Sequence, residues 1–307
     1  MTAVEVRDPR SDGSSHRTAP RGQRQLDPRQ RVITAASAVL AALLLGFLLN
    51  VSLVGALKHN RDQAVARADL REQLALGTAP VSDLTFDGLV VALGAPLAIV
   101  EIPSLGVDEV VFQGSTSGVL RSGPGHRRDT VMPGQTGTSI VMGRRAAYGA
   151  PFAQLKELNP GDEIRITTGQ GVNTFRVLDV RRDGDPRPTP VAAGASRVTL
   201  MTADGAAFAP AGVLRVDADL VSDVMPAARP SLTIRTLPES ERLMAGDDGA
   251  LVPLLLWAEG LLLAAVALTW ARSRWGGRQA WVAGVPVLGL AGLAVADQLG
   301  RLLPNML

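Results

Sequence analysis

Hydrophobic and polar positions divide the chain into three regimes. Val32 to Leu57 runs for 26 residues without a charge, and only Thr34, Ser37, Asn50 and Ser52 interrupt its apolar character. A bilayer is crossed by about 20 apolar residues, so the run predicts a transmembrane helix over 32–57. It is too long for the apolar core of a cleaved signal peptide, and it reads as a retained anchor. From Lys58 the charges recur at spacings of three and four around Ala64, Val65 and Ala68. That pattern predicts a helix ending near Gly77, read as a stalk, with a linker completing residues 58–93.

Beyond this point the period shortens. Runs at 97–102, 107–112, 138–143, 162–168, 173–180, 198–203 and 213–221 are rich in Val, Ile, Leu and Thr and are bounded by glycine and proline. Many short strands at such spacing predict a sandwich or barrel over 94–221. Residues 222–248 contain proline and read as a tether returning to the membrane. Two further apolar runs, 249–271 and 280–304, flank the loop 272–279 and predict two more transmembrane helices; Asp297 and Arg301 weaken the second.

Charge adds orientation. Residues 1–31 hold seven arginines against four acids in a Pro-, Gly- and Ser-rich stretch read as a disordered basic tail. The 272–279 loop carries Arg272, Arg274 and Arg278, whereas residues 58–248 carry 20 basic against 23 acidic residues. Both basic segments lie on one side of a membrane only if 58–248 lies on the other, which places the tail and loop in the cytoplasm and the strand-rich segment outside. Trp270, Trp275 and Trp281 gather at the inner boundary. The basic character therefore belongs to membrane flanks, and no nucleic-acid face is expected. The chain has no cysteine, which excludes disulfides, Cys-ligated metals and thiol nucleophiles.

The strand region also carries short motifs in order: Val100-Glu101-Ile102-Pro103, Gly123-Pro124-Gly125-His126, Pro133-Gly134, Tyr148-Gly149-Ala150-Pro151-Phe152 and Gly161-Asp162-Glu163-Ile164. Together they resemble a class E sortase of high-GC Gram-positive bacteria over roughly residues 97–221. The resemblance implies a mainly β fold, an eight-stranded sortase-type barrel ectodomain attached to three transmembrane helices. It also implies the family's chemistry. A Cys attacks the threonyl carbonyl of a sorting signal, a His moves protons, and an Arg donates hydrogen bonds toward the oxyanion or substrate.

At those positions the sequence departs from the family. The family's Gly-His-Arg corresponds to Gly143-Arg144-Arg145, so the His position is Arg144, and Thr-Leu-x-Thr-Cys corresponds to Thr199-Leu200-Met201-Thr202-Ala203, so the nucleophile position is a methyl group. Arg cannot serve as a general base near neutral pH. Thr202 points to the opposite strand face from Ala203 and has no His placed to activate it. The family's Arg falls near Val213, with Arg215 two residues on and on the same face. A member of the family degenerate at these positions is expected to be no enzyme and to use no cofactor or metal.

Arg144, Arg145, Thr202 and Arg215 are the candidates for holding a peptide, in an apolar groove expected beside Ala203 and Arg144. Arg144 and Arg145 read equally as an anion-binding floor or as solvated charges. His126 reads as a loop hydrogen-bonding group, Tyr148 and Phe152 as packing under their loop, and Leu200 and Met201 as barrel core. Glu259 lies about eight or nine residues into its span, on the order of 13 Å at the helical rise, and Asn50 sits at similar depth. They are expected to pair in helix packing, against the alternative of a Glu in a shielded groove. Beside an active sortase transpeptidase, which the missing Cys argues against, the resemblance leaves two roles open. One is a pseudo-sortase in the cell membrane that binds a sorting-signal peptide, a surface-protein precursor or an active sortase; the other is a structural assembly protein with the barrel as spacer.

Overall fold

The computed structural model describes residues 28–85, 87–228 and 232–307, so the basic tail lies outside the described residues up to position 27. The chain divides into two units, residues 1–42 and 43–307. One helical run crosses their boundary: α1 (Pro28–Leu49), a π-helical turn (Asn50–Val54) and α2 (Gly55–Leu76), closed by Gly77 in the left-handed conformation. Everything that follows belongs to the second unit.

Eight strands close a barrel: β1 (Pro96–Ile102), β2 (Val107–Gln113), β3 (Gly125–His126), β4 (Gly137–Met142), β5 (Glu163–Thr168), β6 (Gly171–Arg181), β7 (Ser196–Ala206) and β8 (Ala209–Leu220). Their order around the barrel is β1-β2-β3-β4-β7-β8-β6-β5. Seven of the eight follow from sequence periodicity. The two-residue β3 does not, because it is held by hydrogen-bonding neighbours on both sides and has no alternation of its own. The inward face is aliphatic: Val100, Ile102, Ile164, Ile166, Phe175, Val177, Val198, Leu200 and Val216 form one buried cluster. In β5 these isoleucines alternate with Glu163, Arg165 and Thr167, as a strand with one buried face requires.

α2 is not a free stalk. His59, Gln63, Ala66 and Leu70 recur at helical spacing and are buried. Gln63 hydrogen-bonds both backbone groups of Val110 and the Ser122 carbonyl, His59 meets Glu109 at 3.1 Å, and Arg67 pairs with Asp108. Ala64, Val65 and Ala68, whose spacing identified the helix, are exposed; the face turned to β2 is half polar, and its His59 and Gln63 are held by hydrogen bonds.

α3 (Leu251–Trp275) and α4 (Gly277–Leu302) form an antiparallel hairpin. The helices at 43–76, 248–274 and 277–302 are each long and apolar enough to cross a membrane. Asp247 N–H donates to the Arg301 carbonyl and Asn305 N–H to the Ala245 carbonyl, so the start of α3 and the end of α4 are stitched together beside the barrel.

Candidate functional site

The site forms where β4 and β7 run parallel. Their register pairs Met142 with Met201, and Gly143 N–H donates to the Met201 carbonyl at 2.9 Å, so Arg144 and Ala203 follow side by side. Across the antiparallel β7–β8 ladder Ala203 faces Val213, and Arg215 faces Met201 two pairs back. Ala203, Met142, Met201, Val213 and Leu120 form a second buried cluster, and its remaining buried member is Met306.

Residues 304–307 therefore lie in the cleft. Asn305 and Met306 are fully buried and Leu307 is 3% exposed. Asn305 Nδ2 donates to the carbonyls of Ser115 and Arg242, each at 2.8 Å. Arg145 N–H donates to the Met306 carbonyl at 3.1 Å, and Leu307 N–H closes a turn onto the Pro304 carbonyl. Leu243 and Met244 pack against the same cluster, so the end of the 222–248 segment is part of the wall. The occupant comes from beyond α4, far past the last strand at Leu220, and nothing in its own sequence marks it as a ligand.

Arg144 is fully buried, which removes the solvated reading. Its guanidinium donates to the carbonyls of Leu307 (3.1 Å) and Ser117 (3.1 Å) and to Ser117 Oγ (2.8 Å), while Nε finds no partner. Burial, reinforced by nearby Arg121, lowers its pKa to about 9 against an opposing contribution from Tyr148. It remains a cation at neutral pH, consistent with the reluctance of guanidinium to give up its proton. Arg145 donates to the Ala203 carbonyl at 3.1 Å and lies 3.6 Å from Asp204. Thr202 is fully buried with its hydroxyl unpartnered. Arg215 is drawn away from Ala203 into a 2.7 Å pair with Asp183, whose carboxyl it holds below the usual range.

The groove that continues from Met201 is open, with a volume of about 710 Å³, between the outer faces of β4, β7 and β8 and the loop 182–195. Its lining is mixed, with Ile140, Val191, Met201 and Ile234 beside charged side chains, and it does not include Ala203 or Arg144. Arg181 pairs with Asp217, which also accepts from Thr199 Oγ1 at 2.7 Å, and Arg197 pairs with Asp219. Outward positions of β7 and β8 thus carry a ladder of paired charges, legible in sequence only as alternate polar residues.

His126 sits away from this cleft, its ring nitrogens 3.2 Å from Gln113 Oε1 and 2.9 Å from the Val131 carbonyl. Burial lowers its pKa. Phe152 belongs to the barrel core, but Tyr148 packs outward with Val51, Phe47 and Leu303. Asn50 is buried, whereas Glu259 is exposed on α3, and the structure shows no hydrogen bond between them; α3 packs against α4. Among the described residues no group of three or more His, Asp and Glu side chains converges to hold a metal ion.

The barrel is closed, and its cleft lies at the ends of the parallel strands β4 and β7. Residues 100–212 match the family model described as the sortase domain, and the chain has no cysteine. Sortase D of Bacillus subtilis (strain 168) is 26% identical over 88 residues, 29% of this chain and 43% of that protein, so the match spans less than half of this relative. Among solved structures, the Clostridium perfringens Sortase D5 transpeptidase is 21% identical, covering 53% of this chain and 99% of that one at a TM-score of 0.43. Sortase E of Streptomyces avermitilis is 27% identical, covering 50% and 100% at 0.37.

Proposed function

We propose that the protein is a non-catalytic sortase-fold protein of the cell membrane, with its barrel outside and its basic tail inside, that holds a polypeptide partner during envelope-protein assembly without cutting it. The carrying observation is Ala203, a methyl group at the chemistry position of a barrel whose outer groove is still open. Acyl transfer needs an activated nucleophile, and the groups nearest this one, Arg144, Arg145 and Thr202, are a buried cation, a backbone-bonded cation and an inward hydroxyl. Holding a peptide needs only shape and complementary polar groups. The groove's alternating Arg and Asp residues suit an extended segment of mixed charge, such as part of a sorting signal or surface-protein precursor.

The spacer reading draws on a different observation, the filling of the Ala203 end by residues 304–307. A titration separates the two. Full-length protein in detergent is mixed with a fluorescent sorting-signal peptide and an amine acceptor. Saturable binding without product is expected; cleavage by the unmodified protein, or no binding at any concentration, overturns the proposal.

A further inference from the structure

The segment that fills the Ala203 end of the cleft begins two residues after a membrane-type helix, and the same end of that helix grips the barrel at two other points. Arg121, beside the cleft, is ion-paired with Asp297 of α4. Tyr148, in the loop that follows Arg144 and Arg145, enters a slot between two glycines. A Cβ on Gly55 of α2 would stand 2.7 Å from its ring, and one on Gly300 of α4 would collide with its hydroxyl. Tyr148 holds a left-handed backbone, φ 52°, costly for a bulky residue, and its N–H donates to the Val51 carbonyl in the π-helical turn. The guanidinium carbons of Arg121 and Arg144 lie 4.6 and 5.0 Å from its ring centre. One aromatic ring thus touches α2, α4 and the arginine that binds residues 304–307.

We propose that residues 304–307 are an intramolecular peptide ligand of the degenerate cleft, a stopper whose seating is coupled to the position of α4 through Asp297 and Gly300. A rigid helix transmits displacement along its length, and the stopper is continuous with it. A shift of α4 relative to α2 opens the Tyr148 slot, frees Arg144 from its contacts and withdraws Met306 from Ala203. The class of ligand that replaces it is a short peptide with a buried apolar side chain at the Met306 position and a carboxamide-type donor at the Asn305 position. This inference rests on the reading of a retained cleft, but its test adds no peptide, so a failure of partner binding leaves it standing.

The absence of native cysteine makes the test direct. Met306→Cys is introduced into the full-length protein in lipid nanodiscs and treated with a polar maleimide, with Val221→Cys, at an exposed position, as the reference. Met306→Cys is expected to react at least about tenfold more slowly than the reference, as for a group reached only by local opening. Adding Asp297→Asn, or separately Gly300→Val, is expected to raise its rate at least about fivefold and leave Val221→Cys unchanged. Amide exchange at Asn305 and Leu307 in the unsubstituted chain reads the seating independently. Reaction of Met306→Cys at the reference rate, or fast exchange at both amides, removes the stopper; protection indifferent to both α4 substitutions removes the coupling.

Discussion

Met306 packs against Ala203 in one buried cluster, and its carbonyl accepts the backbone N–H of Arg145. The side chain that fills the cleft and the side chain whose shortness leaves room for it are separated in sequence by β8, the 222–248 segment, α3 and α4. Restoring the family's nucleophile therefore adds a thiol beneath a methionine. Ala203→Cys is expected to stay nearly inert to maleimide in the full chain and to become reactive when residues 304–307 are removed. Equal reactivity in both would show that Met306 does not cover position 203.

The double substitution Ala203→Cys with Arg144→His asks whether chemistry alone was lost. No peptide hydrolysis is expected from it, because Met306 occupies the approach to the thiol and Arg215 is held by Asp183. Removal of residues 304–307 from the same variant is the condition under which hydrolysis, read by release of a quenched fluorophore, is expected to emerge first.

Arg144 is a buried cation that donates to the Ser117 hydroxyl and to backbone oxygens of Ser117 and Leu307. Taking a charge out of water costs several kcal/mol that its acceptors recover only in part. Arg144→Met keeps most of the volume and is expected to leave unfolding stability within about 1 kcal/mol of the parent or above it. Arg144→Ala opens a cavity and is expected to lose about 2–4 kcal/mol. Thermal melts in detergent compare the two, and a loss in Arg144→Met as large as in Arg144→Ala would mean that its charge stabilises the site.

Tyr148 offers a similar contrast. Its hydroxyl is buried without a hydrogen-bond partner, so Tyr148→Phe is expected to be neutral or stabilising by up to about 1 kcal/mol. Tyr148→Ala empties the slot between Gly55 and Gly300 and is expected to cost about 3–5 kcal/mol. The same melts decide it.

Burial lowers the pKa of His126 below 6.5, so the native state binds fewer protons than the unfolded chain between the lowered value and 6.5. Its contribution to stability is fully present above 6.5 and declines as pH falls through that window. Denaturation midpoints from pH 7.5 downward are expected to fall more steeply for the parent than for His126→Gln. Parallel curves would show that His126 does not set the acid limb.

How much of this was legible beforehand varies by element, and the reason is physical. The helices at 28–76 and 251–302 and seven strands follow from local periodicity, because apolar period and length report directly on which face an element must bury. The same parity places Ala203, Met201 and Thr199 on one strand face. The absence of cysteine is a property of composition, and so is the loss of thiol chemistry.

Other features depend on contacts between residues far apart in sequence, and only the tertiary structure decides them. α2 carries a stripe that waits for β2, and β3 exists through its neighbours. Arg181, Arg197 and Arg215 become a charged groove only when Asp217, Asp219 and Asp183 arrive beside them. The seating of residues 304–307 requires barrel, loop and helix at once, since a four-residue segment has no conformation of its own strong enough to announce what it binds. The sequence by itself determined the elements and the missing sulfur; the packing of α4 against the barrel decided what fills the place that sulfur left.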